Sequence, residues 1–143
     1  LSLAFSWSVV LGWLVSGQSM TTPLLWWLFA ANVFWTMAYD TMYAMADKPE
    51  DLQLAMHSFA ITLGRFDWVG VGLCAGLAML CWAKVLWSLR VAALSWCAMG
   101  LAWLWLSQLW WRCRRPQDCF AGFMGNAYVG AWLWLSLYFH FHG

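Results

Sequence analysis

Apolar residues fall into five long runs, at residues 1–16, 24–46, 68–87, 91–111 and 120–140, separated by short polar breaks. Each run is near the roughly 20 residues that a helix needs to cross bilayer hydrocarbon, the first a little short. None shows the period-two alternation that would support a β-barrel. The breaks carry helix punctuation. Gly17-Gln18-Ser19 closes the first run, and Thr21-Thr22-Pro23 opens the second with proline in the first turn. Gly70, Gly72 and Gly76 in the third run are small residues that let helices approach closely. The pattern predicts an all-α fold, a polytopic transmembrane bundle of about five helices forming one domain over residues 1–143.

Composition strengthens the membrane reading. The chain is 64% hydrophobic and only 9% charged, too little polar surface to cover a globule in water. The net charge of +1 says nothing useful about nucleic acid, but no basic patch with interleaved aromatics appears, so the lipid bilayer and not nucleic acid is the expected partner. The fifteen tryptophans suit lipid-facing and interfacial positions. Five cysteines form no C-x-x-C pair, and Cys113 and Cys119 are expected to be reduced loop thiols. His140 and His142 resemble a metal pair but lack nearby Cys, Asp or Glu to complete a site. The start at Leu1 has no basic region and no small-residue cleavage site, so it reads as a spanning helix with upstream neighbours missing, not as a signal peptide. Lys48, Arg65, Arg112, Arg114 and Arg115 are assigned to the second and fourth connections, against Lys84 and Arg90 in the third. That bias predicts that the second and fourth connections face the cytoplasm or the mitochondrial matrix.

Charge concentrates in one stretch, residues 39–64, which holds four of the six acidic residues. On a helix, Asp40, Tyr43 and Asp47 share one face, at i, i+3 and i+7. Asp51 follows one turn later, although Pro49 disfavours helix at Lys48 and is expected to end or kink it there. Asp47 and Asp51 stay close enough to share an ion. Magnesium binds through one or two carboxylates plus substrate phosphates, so such a pair suits a diphosphate ligand. Solvated acids at a helix end are the plainer alternative. Asp40, about 10 Å deeper along the helix, needs a wet cavity or the bundle interior around it.

The segment Asp40-Thr41-Met42-Tyr43-Ala44-Met45-Ala46-Asp47 resembles the second aspartate-rich motif of the UbiA-type intramembrane prenyltransferases, above all their 4-hydroxybenzoate polyprenyltransferase branch. The likeness continues through Asp51 to Gly64 and returns in CFAGFMGNAYVG, residues 119–130. It covers the C-terminal half of the family's nine-helix bundle. The resemblance implies Mg²⁺ as cofactor, held by Asp47 and Asp51, with polyprenyl diphosphate and 4-hydroxybenzoate as substrates. It further implies catalytic roles for Asp40, Tyr43 and His57, substrate contacts for Arg65 and Asn126, and a location in a bacterial or mitochondrial inner membrane. His57 stands where the family's Gly-x-Lys-Ser-Thr pattern places lysine, and a histidine there would assist a phosphate in a pH-dependent way. The first aspartate-rich motif has no counterpart here, since no acid precedes Asp40. An N-terminal half of the same enzyme is therefore the expected partner, and the 143 residues alone are expected to be inactive. Two alternatives stand beside this: a non-catalytic helix-bundle fragment or decayed half-enzyme, and a relative that prenylates another aromatic acceptor.

Overall fold

The computed structural model describes residues 1–54 and 57–142, without the side chain of His142. Ala55 and Met56, part of the segment compared with Gly-x-Lys-Ser-Thr, lie outside the described residues. Six α-helices follow in order: α1 (Ser2–Val15), α2 (Pro23–Gln53), α3 (Phe59–Leu63), α4 (Asp67–Leu89), α5 (Ala93–Arg112) and α6 (Pro116–His142). A 3₁₀ turn, Gly64–Phe66, joins α3 to α4, and no strand occurs among the described residues. Five long helices match the five apolar runs. Helix α2 starts as expected, with Thr22 as N-cap and Pro23 in the first turn.

The end of α2 differs from expectation. The helix runs 31 residues, straight through Pro49. Proline costs a helix one N–H bond, here to the carbonyl four residues back. One residue earlier, the Lys48 ammonium donates to Asp67 Oδ2 and to the Gly64 carbonyl, both at 2.7 Å, which ties this last stretch of α2 to the start of α4. Lys48 is thus a helical residue with a tertiary partner, not a loop charge. Lys84 likewise lies inside α4.

Helix α2 is the centre of the bundle, touching α1, α3, α4 and α6, while α5 packs mainly on α6 and also meets α4. The core is built from small and flexible side chains: Ala38, Met42 and Met45 of α2 against Val71, Ala75 and Met79 of α4, with Leu106, Leu109, Val129 and Leu133 from α5 and α6. Bulky residues turn outward, among them Leu73, Leu77, Leu80, Trp103, Leu104 and Phe141. Small-inside and large-outside is the arrangement of helices packed in lipid. Among the described residues one helical stretch, Phe59–Leu89, is by itself long and apolar enough to cross a membrane, and Ser2–Val15 is apolar but shorter. Helices α5 and α6 have the length, at 20 and 27 residues, but their Trp, Gly and Ser lower the mean hydropathy.

Several tryptophans clamp helices together. Trp68 and Trp110 stack at 4.4 Å and each donates its indole N–H to the other's carbonyl at 2.9 Å, locking α4 to α5. Trp82 donates to Ser136 Oγ across α4 and α6, and Trp105 to the Gly125 carbonyl across α5 and α6. A buried indole N–H needs a partner, and here a neighbouring helix supplies it. Gly72 lets Trp110 in so closely that a Cβ would sit 2.6 Å from its ring, whereas Gly76 has open space beside it.

Candidate active site at the end of α2

Helix α2 continues through Pro49 and so carries Asp40, Tyr43, Asp47 and Asp51 in one row along a single face. Each of the three aspartates is half-buried, and Tyr43 is exposed. The Tyr43 phenol lies beside the Asp47 carboxylate, and Asp51 and Glu50 are near enough to act on the same phenol electrostatically. No cation reaches Asp40, Asp47 or Asp51 within ion-pair distance among the described residues, whose ion pair is Lys48–Asp67. The row is therefore a concentration of uncompensated negative charge.

Aromatic rings back this row from α6. Tyr43 meets Phe123 edge-on at 5.2 Å and Phe120 at 6.3 Å, and Tyr39 lies 6.0 Å from Phe123 and 5.7 Å from Trp35. Behind them, Trp35, Tyr39, Phe123, Met124 and Asn126 line a recess of about 320 Å³. Asn126 is buried there. Its Oδ1 accepts from the Trp35 indole at 3.1 Å, and its Nδ2 donates to the Gly122 carbonyl at 2.9 Å. The residue pins α2 to α6 at the rim of the recess.

The remaining candidates are placed elsewhere. His57 is exposed and follows directly on the residues outside the description. Arg65 borders a different recess, of about 310 Å³, shared with Lys48, Asp67, Trp68 and Arg114. Lys48 lies about 100° around α2 from Asp47, so this recess opens on another side of the helix from the acids.

Three features were missed from sequence. Ser58 caps α3, its Oγ accepting from the Ile61 N–H at 3.3 Å, and a serine three residues ahead of an apolar position was a visible signal. The Lys48–Asp67 pair had none, being 19 residues apart. Cys113 and Cys119, expected as free thiols, are joined in a disulfide. The turn from α5 into α6 brings their Cα atoms to 4.5 Å, within bridging range, and both side chains are buried.

No group of three or more His, Cys, Asp or Glu side chains converges as a metal site among the described residues. The donor chemistry nevertheless fits a hard cation. Asp47 and Asp51 offer two half-buried carboxylates one turn apart, free of lysine or arginine, and magnesium takes its other ligands from water and phosphate.

Comparison with known proteins decides the family. The sequence profile of the UbiA prenyltransferase family matches residues 1–139. The chain belongs to that family. Its relatives include the 4-hydroxybenzoate octaprenyltransferase of Edwardsiella ictaluri (strain 93-146), 41% identical over 141 residues, covering 96% of this chain and 48% of the relative. The protein of the same name from Marinomonas sp. (strain MWYL1) is 37% identical over 144 residues, covering 96% and 49%. That from Polaromonas sp. (strain JS666 / ATCC BAA-500) is 41% identical over 134 residues, covering 91% and 46%. This UbiA-family chain thus spans about half the length of the curated relatives it matches. No solved structure matches it. UbiA proteins are membrane-embedded, which accounts for the apolar exterior described above.

Proposed function

We propose that this protein takes part in moving a polyprenyl group from its diphosphate to the ring of 4-hydroxybenzoate, the reaction for which its relatives are named. The observation that carries the proposal is the row Asp40–Tyr43–Asp47–Asp51, continuous on α2, without an ion pair among the described residues, and adjoining an aromatic recess. In the reaction the allylic C–O bond breaks, a bond forms to a ring carbon of the acceptor, and the ring proton is lost as diphosphate departs.

Asp47 and Asp51 would hold Mg²⁺, and the charge it would supply there would stabilise the diphosphate as leaving group. Tyr43 orients the Asp47 carboxylate through its hydroxyl. Phe120, Phe123 and Tyr39 keep one side of the site apolar, where charge stabilisation is strongest because water is excluded. Asp40 lies deeper on the same face, toward the acceptor. Asn126, with Trp35 occupying its Oδ1, shapes the recess that receives the ring. His57 acts from the periphery on the diphosphate, standing in for lysine. In this reading the bundle is the second half of a nine-helix transmembrane fold with the acidic end toward the cytoplasm or matrix. The chain spans about half the length of these relatives, so in this reading an N-terminal half supplies the remaining stabilisation, and the 143 residues alone give no turnover.

The test is Mg²⁺-dependent prenyl transfer by protein expressed from the intact reading frame. Wild type should turn over both substrates, Asp47→Ala should not, and His57→Lys should raise the rate. Equal rates for wild type and Asp47→Ala would overturn the assignment.

A further inference from the structure

The second recess at this end of the bundle has a chemistry of its own. Arg114 sits in the corner between two indoles set at 70° to each other, its guanidinium carbon 3.8 Å from the Trp111 ring centroid and 4.3 Å from that of Trp68. Such cation–π contacts hold a guanidinium without using up its N–H donors, whose fork matches phosphate oxygens. Arg65 flanks it from the 3₁₀ turn, its guanidinium carbon 4.8 Å from the Phe66 ring centroid. That turn is fixed where Gly64 adopts φ +59° and its carbonyl accepts from Lys48. The turn carrying Arg114 is closed by the Cys113–Cys119 disulfide.

The charges do not cancel. Asp67 is consumed by Lys48 at 2.7 Å, with one further acceptor bond to the Trp68 N–H at 2.6 Å. Neither arginine has a carboxylate within ion-pair distance among the described residues. Two unneutralised guanidinium groups therefore line a cavity of about 310 Å³, large enough for a phosphate group, with tryptophan at its edge. Tryptophan marks the headgroup level of a bilayer, and basic pockets between helices there bind acidic headgroups.

We infer that this recess is a binding site for a phosphoester anion, gripped by Arg65 and Arg114, and distinct from the acidic row on the other side of α2. The anion is the phosphate of an acidic membrane lipid or a free phosphate, the same chemistry from two sources. The site rests on the membrane character of the family and not on prenyl transfer, so the turnover assay above does not bear on it.

The experiment uses protein from the intact reading frame, purified in neutral detergent. Native mass spectrometry then scores retention of phosphatidylglycerol against phosphatidylcholine of the same chain length, with and without inorganic pyrophosphate. Wild type should hold phosphatidylglycerol in preference. Arg65→Gln and Arg114→Gln should each weaken it about fivefold, from about 1 kcal/mol per basic residue near the surface. Arg112→Gln, which lies outside this recess, should leave binding unchanged. The charge-preserving pair Arg65→Lys and Arg114→Lys should retain the lipid, showing that loss in the glutamine variants is not unfolding. Indifference to pyrophosphate identifies the lipid as the source, and displacement by pyrophosphate identifies a free phosphate; both support the site. Equal retention of the two lipids without pyrophosphate binding, undiminished binding in the glutamine variants, or an equal loss in Arg112→Gln would overturn it.

Discussion

Two sides of one helix end have opposite electrostatic states. On one, Asp47 and Asp51 are left without a counter-charge and Tyr43 is their polar neighbour. On the other, Lys48 sits against Asp67 and Arg114 packs against the rings of Trp111 and Trp68. Residues 47 and 48 are adjacent in sequence, and a step of about 100° per residue turns Lys48 toward the basic recess and Asp47 away from it. The basic side is internally fixed. The acidic side has no cation beside it among the described residues, and in the proposed function it is the reactive side.

The largest expected effect breaks the acidic side. Asp47→Asn keeps the shape and removes the charge, and should lower the rate of prenyl transfer by about 100- to 1,000-fold, measured as product formed per enzyme. Tyr43→Phe leaves the carboxylate in place but frees its orientation. It should lower the apparent Mg²⁺ affinity or the rate by about 10- to 100-fold, with the loss concentrated at low Mg²⁺. Behind the row, Trp35→Phe strands the buried Asn126 Oδ1 and should cost about 1–3 kcal/mol in unfolding experiments in detergent, with less effect on Mg²⁺ dependence. The smallest effect belongs to the basic side. Lys48→Met breaks a pair whose side chains are 26% and 15% exposed, and should cost about 1 kcal/mol of stability while leaving Asp47 able to bind metal. If Lys48→Met abolished Mg²⁺ dependence as fully as Asp47→Asn, the two sides would not be separate.

What could be read from sequence was whatever is local. Apolar runs of helical length gave the five long helices, and Thr22-Pro23 gave the start of α2, because both depend on neighbours in the chain. The face shared by Asp40, Tyr43 and Asp47 follows from helix periodicity alone. The far end of α2 was misjudged because the Lys48 contacts that tie it down come from residues 16 and 19 positions away. Trp35 finds Asn126 across 91 residues and Trp68 finds Trp110 across 42, so their roles as clamps left no local trace. The same holds for Cys113 and Cys119, whose spacing is compatible with free thiols until the turn between α5 and α6 is known.

The most direct measurement is of the divalent cation itself, with Mn²⁺ in place of Mg²⁺ and pyrophosphate in place of the substrate's diphosphate. The electron paramagnetic resonance signal of free Mn²⁺ reports how much is bound by protein from the intact reading frame. Binding that requires pyrophosphate, and weakens at least about tenfold in Asp47→Asn/Asp51→Asn, is the result predicted here. Equal Mn²⁺ binding by wild type and the double variant would contradict it.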